Sequence, residues 1–104
     1  MARKIIWSVN ARKIRKKILK YWTKRNRSNS YSIILNKLFE KSSSQIAEFP
    51  YSGILITNQI YRGKLVKDYY LLYKVEEEAV RILFIWDCRK DPKELLKIKK
   101  DFNL

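Results

Sequence analysis

The spacing of apolar residues changes abruptly at Phe49-Pro50, and this change constrains the fold more than any other feature of the sequence. Before this point, apolar residues recur at steps of three and four, which is the spacing of amphipathic helices. After it, they alternate every second residue, which is the spacing of strands. Pro50 and the Ser52-Gly53 pair provide the break, because proline ends a helix and glycine favours a turn. The sequence therefore predicts a helical first half and a sheet-forming second half.

The helical half is predicted to contain one opening strand and then two antiparallel helices. Residues Lys4–Val9 alternate and predict the strand, and Asn10 is predicted to cap the first helix. Ser28 or Ser30 is predicted to cap the second helix, and the apolar stripes of the two helices should face each other in a hairpin. The first stripe consists of Ala11, Ile14, Ile18 and Tyr21 or Trp22, and the second of Tyr31, Ile34, Leu35, Leu38, Ser42 and Ile46.

The second half is predicted to form the rest of a small sheet. Ile54–Ile60 is predicted as a strand, and Tyr61–Lys67 either continues it or pairs back on it. Tyr69–Val75 and Ala79–Asp87 are predicted as two further strands joined by a charged turn, and Pro92–Lys100 as a short amphipathic helix. The order β-α-α-β-β-β predicts an α+β fold, in which a helical hairpin packs on one face of a mainly antiparallel sheet.

The chain has 104 residues, which predicts a single domain with a core of about 3–91 and a tail at 92–104. Its one cysteine, Cys88, suits a reducing cytoplasm and cannot form an internal disulfide. No stretch approaches the ~18 apolar residues that a membrane span needs. We therefore expect a cytoplasmic protein that does not use the membrane.

Positive charge is concentrated in the first part of the chain. The net charge is +14, and residues 1–39 contain twelve Lys or Arg and no Asp or Glu, whereas residues 40–104 contain twelve basic and ten acidic residues. Solubility alone does not require one unbalanced sign. A field of this kind attracts a polyanion, which could be nucleic acid, the ribosome, an anionic membrane or a very acidic protein.

Several short motifs occur in a recognisable order. The opening strand Ile5-Ile6-Trp7-Ser8 is followed by Ala11 and the helical hairpin, and Phe49-Pro50 with Gly53 forms a P-x-x-G element. Next come Arg62, Val66, Tyr69, Leu71 and Tyr73 in the pattern R…V…Y-x-L-x-Y, and the last strand is followed by Arg89-Lys90-Asp91-Pro92. In this order the motifs resemble the RelE/ParE family of toxins, from Lys4 to about Leu95.

This resemblance implies the toxin of a two-component toxin–antitoxin module, a growth inhibitor whose activity is neutralised by a cognate antitoxin and which can serve plasmid stabilisation. ParE-like members inhibit DNA gyrase, whereas RelE-like members cleave messenger RNA on the ribosome. RNA cleavage needs groups that move protons and a cation for the phosphorane. The sequence has no His, no Glu between Gly53 and Lys67, and no Tyr after Asp91. ParE-like gyrase inhibition is therefore favoured, and ribosome-dependent cleavage of mRNA is the alternative; if the latter holds, the protein is an enzyme.

The candidates for contact with the target are basic or aromatic residues of the second half: Arg62, Lys64, Tyr70, Arg81, Arg89 and Lys90. Arg62 could instead pair with Asp68 or Asp87, and Arg89 and Lys90 could be ordinary solvated charges. Tyr69, Tyr73, Phe84 and Trp86 alternate at strand spacing and are predicted to be core residues, which leaves Tyr70 on the opposite face.

The candidates for contact with the antitoxin lie on the basic first helix: Arg12, Arg15, Lys16 and Lys20. A function from another class, a simple nucleic-acid-binding protein that uses the same helix, stays open. No metal-ligand spacing or phosphate-binding glycine loop occurs in the sequence, so no metal and no small-molecule cofactor is expected.

Overall fold

A computed structural model of the protein describes residues 2–57 and 61–89. Two helices pack on one face of a sheet whose strand order is β1-β5-β4-β3-β2. The elements in chain order are β1 (Lys4–Trp7), α1 (Val9–Asn26), α2 (Ser30–Glu48), β2 (Ile54–Thr57), β3 (Tyr61–Val66), β4 (Tyr69–Val75) and β5 (Ala79–Asp87). The α+β fold with an N-terminal strand and a helical hairpin is confirmed. The predicted helix at 92–100 lies outside the described residues.

The sheet is mainly antiparallel, as predicted. Strands β2, β3, β4 and β5 form three consecutive antiparallel pairs, whereas β1 and β5 pair in parallel. The alternative left open for residues 61–67 is resolved, because β3 pairs back on β2 and adds one strand to the predicted order. Of the predicted strand at 54–60, the described part is β2, and residues 58–60 lie outside the description.

The first helix begins earlier than predicted. The N-cap is Ser8 and not Asn10, because the Ser8 hydroxyl accepts a hydrogen bond from the Ala11 N–H at 3.0 Å. The same hydroxyl donates to the Leu83 carbonyl at 3.1 Å and so ties the start of α1 to β5. Strand β1 consequently ends at Trp7 rather than at Val9.

The second helix is capped by Asn29, which makes no side-chain cap bond, so the prediction of Ser28 or Ser30 was wrong. Its buried stripe also differs from the predicted one. Ile34 is 54% exposed, and Phe39, which was not predicted, is fully buried. A stripe that includes Leu35, Phe39, Ser42 and Ile46 at steps of four, three and four follows the helical period more closely.

The core lies between the helices and the sheet and consists of two clusters. One joins Leu35 and Phe39 of α2 to Tyr69 and Leu71 of β4 and to Ile85. The other surrounds Tyr73, Ala11, Ile46, Val80 and Ile82. Neither α1 nor α2, the helices within the described residues, is long and apolar enough to cross a membrane.

Strand β5 contains a bulge that overturns one sequence prediction. Leu72 pairs with Phe84 and Tyr73 pairs with Ile82, so Leu83 is an extra residue without a partner of its own. The bulge reverses the alternation, which places Ile82 and Ile85 on the same helix-covered face. Phe84 and Trp86 are therefore half-buried on the other face and do not belong to the core between helices and sheet.

Candidate partner-binding groove

An open groove of about 750 Å³ lies between α1 and the second half of β5. Its apolar lining includes Ile14 and Ile18 of α1 and Ile85 and Trp86 of β5. The groove arises because β1 borders β5 only as far as Ile82. Beyond that point β5 still pairs with β4 on one edge, and on its other edge α1 takes the place of β1 among the described residues. A helix and a strand cannot pack as closely as two paired strands. The sequence thus leaves an apolar channel open at one side of the sheet.

The polar residues of the groove are Asn10, Lys17, Asp87 and Arg89. Lys17 is exposed, and it follows Ile14 by one turn on the same side of α1. Asp87 and Arg89 form a two-pronged ion pair, with distances of 3.0 Å from the Arg89 Nε and 2.8 Å from its second terminal nitrogen. Since that carboxylate is neutralised by Arg89, the exposed ammonium of Lys17 gives the groove a basic character.

Arg89 closes one end of the groove and is held on several sides. Its guanidinium lies 5.0 Å from the ring centre of Trp22, 5.8 Å from that of Tyr21 and 6.0 Å from that of Tyr69. The hydrogen bond with Asp87 raises the pKa of Arg89, so the charge is permanent. Trp22 in turn donates its indole N–H to the Tyr69 hydroxyl at 2.8 Å. Arg89 is therefore part of the architecture of the groove as well as a group that a partner can reach.

Trp86 belongs to the wall that β5 contributes to the groove. It stacks on Tyr70, with ring centres 6.4 Å apart and planes inclined by 20°. The indole N–H of Trp86 is buried without a hydrogen-bond acceptor. An unsatisfied buried donor costs about 1–3 kcal/mol. Such local departures from optimal stability concentrate at functional surfaces, which favours this wall as part of a binding site.

Arg62 lies at a different place, beneath the P-x-x-G loop. It donates to the carbonyls of Tyr51 at 3.0 Å and Gly53 at 2.9 Å, and its guanidinium is 5.1 Å from the Tyr51 ring centre. The Tyr73 hydroxyl supports the same loop by donating to the Pro50 carbonyl at 2.8 Å and accepting from the Gly53 N–H at 3.0 Å. These backbone contacts take the place of the carboxylate partners considered for Arg62.

The remaining candidates for target contact are dispersed. Arg81 forms an ion pair with Glu76 at 3.2 Å. In the sheet Arg81 lies opposite Lys74, whereas Arg62 lies opposite the neighbouring residue, Tyr73. Lys64 pairs with Leu71 on the helix-covered face, whereas Tyr70 faces the opposite side. Lys90 lies outside the described residues. Within residues 2–57 and 61–89, the acidic, Cys and His side chains form no cluster of three that could hold a metal ion.

The candidates for antitoxin contact fall into two groups. Arg12, Lys16 and Lys20 are exposed on α1, and Arg12 donates to the Trp7 carbonyl at 3.1 Å. Arg15 is mostly buried. It lies 4.6 Å from the Trp7 ring centre and donates to the Asn36 side chain and to Glu40.

Burial lowers the pKa of Arg15, and the Glu40 carboxylate offsets part of this effect. Arg15 thus has a structural role between the two helices. The sequence candidates for antitoxin contact omitted Lys17 and the other residues of the groove, and Arg89 was a candidate for target contact only. The position of Lys17 one turn from Ile14 and Tyr21, on one edge of the apolar stripe, was the available signal.

Comparison with known proteins agrees with the geometry. A family model described as the ParE toxin of the type II toxin–antitoxin system parDE matches residues 5–92. This range extends from the opening strand to the proline after β5 and contains the motifs that carry the resemblance. The search of curated proteins gives no match to the chain. The family match covers most of the 104 residues. The chain therefore belongs to the ParE toxin family of type II toxin–antitoxin systems.

Proposed function

We propose that this protein is a cytoplasmic growth inhibitor whose cognate antitoxin neutralises it by binding in the groove between α1 and β5. Membership of the family implies an antitoxin partner. The single observation that carries the proposed location is the combination of an apolar channel with an exposed lysine on a helix that has no acidic residue. This combination favours a partner segment with apolar side chains on one face and carboxylates at its border.

The groove offers enough apolar surface to bind such a segment. Ile14, Ile18, Tyr21 and Trp86 are each partly exposed there. Completing the burial of one large apolar side chain yields up to about 1.5–3 kcal/mol. A disordered segment that folds on contact spends part of this gain on ordering. Electrostatic attraction by the basic helix speeds the encounter, and it should weaken as salt is added.

We favour DNA gyrase over messenger RNA as the target. The support is the dispersion of the candidate groups: Arg62 holds a loop, Arg81 pairs with Glu76, and Arg89 closes the groove at the other end of β5. Cleavage of RNA requires the proton-moving and cationic groups to surround one phosphate. A target bound through a protein surface makes no such demand.

The experiment is inducible expression without the partner, followed by two measurements in the same cells. We expect DNA breaks or altered plasmid supercoiling with mRNA left intact, and purified toxin should inhibit supercoiling by purified gyrase. Cleavage of mRNA at defined sites with unaffected gyrase would replace the proposed target with the ribosome. Growth that continues normally at full expression would contradict the proposal of a growth inhibitor.

The groove itself is tested with a matched pair of variants, using the product of the reading frame adjacent to this gene as the binding partner. Lys17→Glu places a carboxylate in the groove, and Lys37→Glu makes the same change at an exposed position of α2. We expect Lys17→Glu to weaken binding at least tenfold, which corresponds to about 1.4 kcal/mol. Lys37→Glu should have a much smaller effect. Equal losses for the two variants would show that only total charge matters.

A further inference from the structure

A second feature of α1 is not used by the groove. Lys13, Lys16, Lys20 and Lys24 follow one another at steps of three, four and four residues, and all four are exposed. This spacing places them on one face of the helix. Ala11, which is fully buried, and the other core-facing residues occupy the opposite face. We name these four lysines the basic ridge.

The basic ridge is not neutralised within the fold. The ion pairs among the described residues involve Arg15, Arg81 and Arg89 and leave the ridge lysines without a carboxylate. The first turn of α1 contains no acidic residue, and residues 1–39 contain none at all. Like charges at these spacings destabilise a helix. The fold therefore retains an arrangement that its own stability does not favour.

From this arrangement we infer that the basic ridge binds the phosphate backbone of nucleic acid, independently of the antitoxin groove. The lysines span eleven residues of helix, or about 16 Å. One strand of a duplex presents about five phosphates over that length. The number of phosphates is therefore sufficient for four lysine contacts, and lysine is a suitable point charge for them.

A protein partner is a poorer match for the basic ridge than nucleic acid. Protein interfaces have an apolar core and are depleted of lysine there. The exposed or half-exposed apolar residues of α1, such as Ile14, Ile18 and Tyr21, lie in the groove and not between the ridge lysines. Phosphate backbones are bound through charge and need no apolar contact. The basic ridge provides charge without an apolar core, so it suits a phosphate backbone better than a protein surface.

The inference predicts a salt dependence of defined size. Four phosphate contacts on duplex DNA give a slope of about −3.6 in log affinity against log salt, so a fourfold rise in salt weakens binding about 150-fold. Replacing two of the four lysines should reduce the slope to about −1.8, which corresponds to about a 12-fold loss over the same range. Single-stranded RNA bound by the same lysines should give a slope of about −2.8.

The test measures binding of the full chain to a 30-base-pair duplex DNA of mixed sequence and to a 30-nucleotide single-stranded RNA, across a salt series. The ridge variant is Lys16→Gln with Lys20→Gln. The matched control is Lys4→Gln with Lys67→Gln, which removes the same charge at exposed positions of the sheet side. We expect the ridge variant to lose about half of the slope and the control to keep nearly all of it. The relative slopes on DNA and RNA show which nucleic acid supplies the phosphates.

Three outcomes would overturn the inference, two of them in the salt series and one in the binding of the antitoxin. Equal losses in the two variants would mean that only net charge attracts nucleic acid, and a slope unaffected by the ridge variant would mean that other residues bind. Binding to the antitoxin is measured in parallel. The ridge variant should keep it and Lys17→Glu should lose it, so that failure of the ridge and failure of the groove are separate results. Loss of antitoxin binding alone in the ridge variant would assign these lysines to the protein partner.

Discussion

The P-x-x-G loop should depend on a single buried hydroxyl group. Tyr73 is fully buried, and its hydroxyl bonds the Pro50 carbonyl and the Gly53 N–H, which both lie in buried residues. Tyr73→Phe removes these bonds and leaves two buried polar groups without partners. Each such group costs about 1–3 kcal/mol, so the variant should lose about 2–6 kcal/mol of unfolding free energy. At roughly 5 °C per kcal/mol for a domain of this size, the melting temperature should fall by about 10–30 °C.

A double-mutant cycle with Gly53→Ala makes this reasoning sharper. A Cβ added at Gly53 would lie 2.3 Å from the Tyr73 hydroxyl oxygen and 2.9 Å from the Gly63 carbonyl oxygen. Gly53→Ala should therefore destabilise the natural protein strongly. In the Tyr73→Phe background the closest contact, with the hydroxyl oxygen, is gone, whereas the contacts of 2.9 Å with the ring carbon of residue 73 and with the Gly63 carbonyl oxygen remain. The combined cost should therefore be about 1–2 kcal/mol less than the sum of the single costs.

The assay is thermal and denaturant unfolding of the two single variants and the double variant, with Tyr70→Phe as the control. Tyr70 is half-exposed on the opposite face of the same strand, and losing its hydroxyl should change stability by less than about 0.5 kcal/mol. Strict additivity of the Tyr73 and Gly53 variants would refute the proposed contact. So would a Tyr73→Phe protein that melts within about 2 °C of the natural one.

Three further predictions follow from the contacts of single side chains. Arg15→Ala should cost about 1–2 kcal/mol, because it removes the stacking on Trp7 of β1 and the hydrogen bonds that join α1 to α2. Lys16→Ala should stay within about 0.5 kcal/mol in the same melts. Arg89→Ala should lower the melting temperature by about 5 °C, since its stacking and partly exposed ion pair are worth about 1 kcal/mol; an unchanged value would assign Arg89 to partner contact alone. Burial raises the pKa of the Tyr69 and Tyr73 hydroxyls above the unfolded value of about 10, so the neutral phenols stabilise the fold below that pH, and stability should fall as the pH rises through the folded-state pKa. Melts between pH 8 and pH 11.5 should show this fall, and a flat profile would contradict it.

The sequence predicted those parts of the fold in which one local pattern decides the structure. The helical stripe from Ala11 to Trp22 and the last two strands were found because their spacing is regular. The bulge at Leu83 could not be predicted, since it depends on the register in which β5 pairs with β4. Its consequence, the placement of Trp86 outside the core, was missed for the same reason.

The groove was harder to predict than the fold. It requires β1 to stop at Trp7, and that end is set by the Ser8 hydroxyl bonding both Ala11 and Leu83, a contact between residues far apart in the chain. Charge counts indicated α1 as the basic element but could not separate Arg15, which is buried against Trp7, from Lys17 in the groove. Which basic side chain of α1 is buried and which lines the groove is decided by the packing of the two helices.

The parallel pairing of β1 with β5 has a consequence for synthesis of the chain. The bond between Ser8 and Leu83 joins residues 75 positions apart, whereas β3, β4 and β5 pair with their nearest neighbours in sequence. Contacts of such long range close late in folding, because the intervening chain must first be ordered. On the ribosome, β1 can pair with β5 only after β5 has left the exit tunnel, when all of the described residues have been translated. The sheet edge that borders the groove is thus among the last parts to form. An antitoxin already present in the cell can meet the toxin as this edge is completed.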